Sequence, residues 1–252
     1  MRFRIVVALS ALVVALSVAS PAWSSQIIRV EDLGKGSGEA WLYLPAEHPP
    51  SCAVVYLHGA GHLTPGPYQP WLVELTLGND CAVVYPRYQQ TERSPALSAE
   101  SLRNVHAAAA MSFAYLRKAR FGLAGDPAPA PLPVVVAGYA DGGVLAMYYA
   151  ANARRWGLTV PFAVDSIFPS GGRVGAPALA PLPRSTRVLI QVGDRDRAGG
   201  NSLWRYLAPH PANRKSLQIV HAVHTAPLQS TAAAQTFFWS PLDALIEAAT
   251  RG

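Results

Sequence analysis

Short runs of β-branched and aromatic residues recur along this chain, and longer stretches with helical apolar spacing separate most of the later ones. The runs occupy residues 27–30, 40–44, 53–57, 82–85, 134–138, 163–168, 188–192 and 217–220. The helical stretches lie at 69–77, 99–119, 142–155, 201–207 and 239–249. Alternation of this kind predicts an α/β fold: a mostly parallel, eight-stranded sheet with helices on both faces. The first two runs have no helix between them, so an antiparallel hairpin starts the sheet. With 252 residues, half of them apolar, the chain has core enough for one large domain, placed at 26–252. The proline-rich stretch 126–133 is a stiff surface connection too short to divide domains.

The helix at 99–119 has a cap and a stripe. Ser98 can accept from the first free N–H groups, and Leu102, Val105, Ala109 and Leu116 fall along one side. Two near copies, Cys52-Ala-Val-Val-Tyr56 and Cys81-Ala-Val-Val-Tyr85, each open a strand. As parallel neighbours in matching register they place Cys52 and Cys81 side by side, about 5 Å apart, within disulfide reach.

The segment before the domain has a different character. Arg2 and Arg4 precede an uncharged apolar run to about Val18, then small residues and a proline. This is the pattern of a secretory signal, residues 1–22, with a cut after Ala22 or, second, after Ser24. It predicts a secreted or periplasmic protein with no stable membrane anchor after cleavage. Without the two leader arginines, 19 basic residues face 15 acidic ones, and the basic residues are scattered. That distribution argues against a nucleic-acid partner, which needs a concentrated basic face.

In a parallel sheet the chemistry gathers at the carboxyl ends of the strands. After the third run stands His58-Gly59-Ala60-Gly61-His62, whose glycines allow a turn that aims the Ala60 N–H into a cleft. After the fifth stands Gly138-Tyr139-Ala140-Asp141-Gly142. A sharp strand-to-helix corner needs small residues two before and two after its apex, and Gly138 and Gly142 supply them around Ala140. The Asp141 N–H, opening the helix, is a second candidate oxyanion donor. The seventh run leads into Gly193-Asp194-Arg195-Asp196 and the eighth into His221-Ala222-Val223-His224. Each of these alone is an ordinary solvated loop. Together they place corner, acid and histidine at successive strand ends in the order Ser, Asp, His would take.

With VVYLHGAGH, VVYPRYQ, AGYADGG, IQVGDRD and VHTAPL in view, the chain resembles the α/β-hydrolase superfamily, over nearly all of the sequence after the leader. Within it, the compact carboxylesterase and dienelactone-hydrolase-like members are the nearest in pattern. The resemblance implies that Asp196 is the triad acid, with Asp194 second, and that His224 is the base, with His221 its competitor. It also implies that Ala140 stands in the nucleophile's place in G-x-S-x-G. Only sixteen residues, 171–186, separate the sixth and seventh runs beyond Ser170, too few for a helical lid. The expected site is therefore open, suited to a bulky or surface-bound ester. Trp41, Trp71, Tyr88 and Phe168 are candidates for lining it or for plain packing.

An alanine methyl has no lone pair to attack a carbonyl. The expectation is an exported ester hydrolase lineage impaired or inactive at acylation, with no cofactor and no metal. Its ligand would be a small-molecule or surface-bound ester. Three other readings stand beside it: Asp141 as nucleophile, His224–Asp196 as a general base without a covalent step, and a non-catalytic protein that binds a ligand or partner in the cleft.

Overall fold

The computed structural model describes residues 28–119, 132–170 and 177–251. The leader at 1–22, most of the proline-rich connection and part of the 171–186 connection lie outside the described residues. Eight strands form one sheet: β1 (Ile28–Leu33), β2 (Ala40–Pro45), β3 (Cys52–Leu57), β4 (Cys81–Pro86), β5 (Val134–Tyr139), β6 (Ala163–Ile167), β7 (Arg187–Gly193) and β8 (Lys215–Val220). Their order across the sheet is β1-β2-β4-β3-β5-β6-β7-β8. β1 pairs antiparallel with β2, and β2 antiparallel with β4; every later pairing is parallel.

Every residue of β3, β4 and β5 is buried, which requires cover on both faces of the sheet. On one face Val55, Val84 and Val136 pack with Leu102 and Val105 of α2 (Ala99–Leu116) and with Leu145 and Met147 of α3 (Asp141–Asn152). Leu203 of α4 (Ala198–Tyr206) joins the same cluster. On the other face Val54, Tyr56 and Val83 meet Trp71 and Leu72 of α1 (Gln69–Leu77). A short α5 (Ala232–Ala234) continues through a π turn, Gln235–Trp239, into α6 (Ser240–Thr250), whose Leu242 and Ile246 complete that layer.

Ser98 caps α2 as expected, its hydroxyl accepting from the Ser101 N–H at 3.0 Å. Cys52 pairs with Cys81 in the β3–β4 register and the two are joined by a disulfide, Cα to Cα 4.7 Å. Element ends shift by one to three residues from the sequence reading, and two of these shifts have a visible cause. The sixth strand ends at Ile167, because Phe168 turns out of the sheet at φ 45°. α4 starts three residues early and includes Gly199 and Gly200. Helix propensity speaks against those glycines, but a Cβ on Gly199 would strike the Pro169 carbonyl, and one on Gly200 would strike Val192. Close packing, which propensity does not report, makes them helical.

Candidate active site

The corner between β5 and α3 turns on Ala140, at φ 55° and ψ −120°. For a residue with a Cβ this is a strained conformation, costing about 1–3 kcal/mol, held by its surroundings. The Ala140 N–H donates to the Ile167 carbonyl at 2.9 Å, while its own carbonyl accepts from Gly143 at 3.0 Å and Ser170 at 3.2 Å. The flanking glycines are there for space. A Cβ on Gly138 would collide with the Gly142 carbonyl, and one on Gly142 would collide with the carbonyls of Leu57 and His58. The Asp141 N–H begins α3 and takes no hydrogen bond among the described residues.

Facing the apex is the loop that leaves β3. A Cβ on Gly59 would lie 3.4 Å from that of Ala140, so the two turns touch. Most of the loop's polar groups are committed. The His58 carbonyl accepts from the Tyr88 hydroxyl at 2.6 Å, the Gly59 N–H donates to the Tyr68 hydroxyl at 2.8 Å, and the Gly61 N–H donates to Gln89 Oε1 at 2.9 Å. The Tyr85 hydroxyl reaches the carbonyls of His62 and Thr64 at 2.8 and 3.0 Å. The Ala60 N–H, between two fixed neighbours, takes no partner among the described residues. Two unpaired N–H groups at adjoining turns are what an oxyanion needs.

His58 itself is buried, stacked between Tyr85 and Tyr88 with ring centroids 5.2 and 4.1 Å away. Its Nδ1–H donates to the Gly59 carbonyl at 2.7 Å, and burial pushes its pKa down to about 3. It is therefore neutral and belongs to the loop's framework.

The acid and histidine loops supply two pairs. His224 Nδ1 meets Asp196 Oδ2 at 2.5 Å, and His221 Nδ1 meets Asp194 Oδ2 at 2.7 Å. Sequence order treats these residues as competitors; the fold gives each histidine its own carboxylate. Exposure separates the pairs, since the His221 side chain is 84% exposed and that of His224 37%. The Tyr139 hydroxyl donates to the His224 carbonyl at 3.0 Å, and the His224 ring sits 5.2 Å from Tyr139 and 5.4 Å from Phe168. Tyr139 immediately precedes the apex, so it ties the histidine loop to the corner. Burial raises the Asp141 carboxyl above its ordinary range, and the nearby His224 pulls it back. The hydrogen bond and charge of His221 hold Asp194 below the ordinary range.

Beyond the histidines lies an open cleft of about 460 Å³. Its apolar wall includes Val223, Ala234, Phe237 and Phe238, and its polar lip includes Arg195 and Gln229. Of the four aromatic candidates only Phe168 touches His224. Trp71 stacks on Trp239 at 5.5 Å, Trp41 sits edge-on to Tyr85 at 6.0 Å, and Tyr88 braces His58. Tyr68, Tyr85, Gln89 and Tyr139 are contributors that sequence reasoning missed. Tyr85 and Gln89 lie inside the VVYPRYQ stretch, whose spacing after a strand was their one visible signal. Among the described residues no group of three or more His, Cys, Asp or Glu is placed to hold a metal ion.

No protein-family model matches the sequence, nor does any curated protein sequence. Solved structures do match in shape. An esterase from Pyrobaculum calidifontis superposes with a TM-score of 0.69 at 17% identity, covering 89% of this chain and 86% of that one. A carboxyl esterase from the mycorrhizal fungus Tuber melanosporum gives 0.67 at 17% identity, over 92% and 89% of the two chains. An esterase/lipase from an uncultured bacterium gives 0.65 at 16%, over 89% and 86%. The chain has the α/β-hydrolase fold. Ala140 is the apex of the β5–α3 corner.

Proposed function

We propose that this chain is an exported α/β-hydrolase of serine carboxylesterase lineage, complete for ester hydrolysis except for the nucleophile hydroxyl at position 140. The observation that carries this is the strained apex. Ala140 keeps a costly backbone geometry against the loop of the unpaired Ala60 N–H, its neighbour Tyr139 packed on the His224 of a histidine–aspartate pair, although its methyl can do no chemistry there.

With a serine at the apex each group has a step to perform. His224, held by Asp196, takes the hydroxyl proton as the oxygen adds to the ester carbonyl carbon. The carbonyl oxygen gains the negative charge, which the Ala60 and Asp141 N–H groups stabilise. When the C–O bond to the alcohol breaks, His224 returns the proton to the departing oxygen. Water then repeats the sequence on the acyl group and releases the acid. Without the hydroxyl, oxyanion stabilisation and binding alone leave about 10³–10⁴ over the uncatalysed rate.

The test is p-nitrophenyl butyrate hydrolysis by the chain as written and by Ala140→Ser. Turnover is expected to rise at least about 10²-fold in the serine form. Adding Asp196→Asn should take away most of that gain, whereas Asp194→Asn should not. A folded serine form with no gain contradicts the proposal. Asp141 is a poor nucleophile by this account, being one residue past the apex.

The cleft favours one second reading, a binding protein. Its apolar wall beside His224 suits an ester or fatty acid whether or not anything is cleaved. That reading expects a ligand such as octanoate to raise Tm unconsumed, with Ala140→Ser still inactive. Export is proposed from the basic start and apolar run at 1–22, and the Cys52–Cys81 disulfide suits an oxidising compartment.

A further inference from the structure

The loop that presents the Ala60 N–H is tied to an ionisable side chain through a single shared hydroxyl. The Tyr68 oxygen lies 2.8 Å from the Gly59 nitrogen and 2.7 Å from His62 Nδ1. Gly59 N–H can only donate, so the oxygen accepts from it. Tyr68 has one proton to give, and His62 Nδ1 is its only acceptor among the described residues. Satisfying the hydroxyl proton requires His62 Nδ1 to be unprotonated, with the ring hydrogen on Nε2. Protonating His62 places a second N–H against the same oxygen and leaves the hydroxyl proton without that acceptor, in a side chain only 1% exposed.

The groups facing His62 are few. Tyr68 and Tyr85 come from the elements packed against the loop, His58 lies on the loop itself, and Glu92 from the stretch after β4 acts on it at longer range. Burial disfavours the charged imidazole, and the Glu92 carboxylate partly opposes that. Tyr68 also packs edge-on to Tyr139, the residue before the apex, at 6.2 Å. One phenol thus touches the Ala60 turn and the corner at once.

We propose that Tyr68 and neutral His62 form a proton-linked latch that positions the Ala60 N–H as an oxyanion donor, and that acid releases it. Both act through the loop rather than on substrate, so they are positioning residues. The proposal rests on the ester-hydrolysis reading of the site.

The pH profile separates the latch from the base. In Ala140→Ser, kcat/KM for p-nitrophenyl butyrate should require two neutral histidines, His224 as base and His62 in the latch. In a pH 4–8 series its logarithm should fall by more than one per pH unit where both histidines titrate, the latch adding up to about tenfold to the loss from His224. Adding His62→Asn, whose amide oxygen accepts from Tyr68 without titrating, should reduce that slope to one. Adding Tyr68→Phe should also give a slope of one and lower kcat about tenfold, with KM changed less than twofold. Equal slopes in all three proteins overturn the latch.

A second measurement does not depend on turnover. In the chain as written, amide exchange across residues 58–64, corrected for intrinsic chemistry, should quicken between pH 7 and pH 5, and His62→Asn should suppress the change. If Ala140→Ser is inactive at every pH, the ester-hydrolysis reading fails while exchange still decides the latch. If exchange shows no His62 dependence, the latch fails alone.

Discussion

At position 140 a methyl group is held where glycine would be at ease. The φ of 55° makes the Cβ itself a source of strain, which burial of its methyl offsets only in part. Ala140→Gly should therefore raise stability, by about 1 kcal/mol after the extra freedom of glycine in the unfolded chain is subtracted. Urea denaturation measures this, and a glycine variant less stable than its parent would show that the apex is relaxed. The apex and its two glycines were legible in the sequence because steric need leaves a local signature. The resemblance had already joined Asp196 with His224; the second pair, Asp194 with His221, was not legible. Asp194 and Asp196 lie two apart on one turn, and which imidazole each meets depends on how the loops after β7 and β8 face one another.

The loop leaving β3 carries its own dependence on pH. His58 is buried and neutral, with a pKa pushed down to about 3 against an ordinary value near 6.5. Unfolding lets it take a proton at any pH between those values. Its contribution is fully present above pH 6.5 and is lost as pH falls toward 3, at about 1.4 kcal/mol per unit. From pH 6.5 to pH 5 the folded chain should lose about 2 kcal/mol from this group. His58→Gln should show a shallower fall in urea midpoint over that range, and an unchanged slope would mean the histidine is not held neutral. This framework was only half readable. His-Gly-Ala-Gly after a strand announced a tight turn, but the hydroxyls of Tyr68, Tyr85 and Tyr88 reach it from other elements, and hydroxyl direction leaves no periodic trace.

For the molecule as a whole, the sheet was the most legible part. Fully buried parallel strands must be continuous apolar runs, and such runs stand out from amphipathic helices. The Cys52–Cys81 link, 29 residues apart in sequence, ties β3 to β4 at the start of both strands. It lies at the opposite end of those strands from the loop holding Ala60. Closing a loop of that length should stabilise the fold by about 3–4 kcal/mol. A Cys52→Ala, Cys81→Ala double variant should lose that amount in denaturant titration while keeping whatever activity Ala140→Ser displays. A loss of activity in a still-folded double variant would tie the disulfide to the site.

The central claim is that the site lacks only its nucleophile. The most direct measurement is reaction of Ala140→Ser with a fluorophosphonate ester, read by mass spectrometry, with the chain as written alongside. The account predicts one covalent adduct per chain, located at position 140 in the serine form and missing from the parent. A folded serine form that stays unlabelled, or a parent labelled equally well elsewhere, would contradict it.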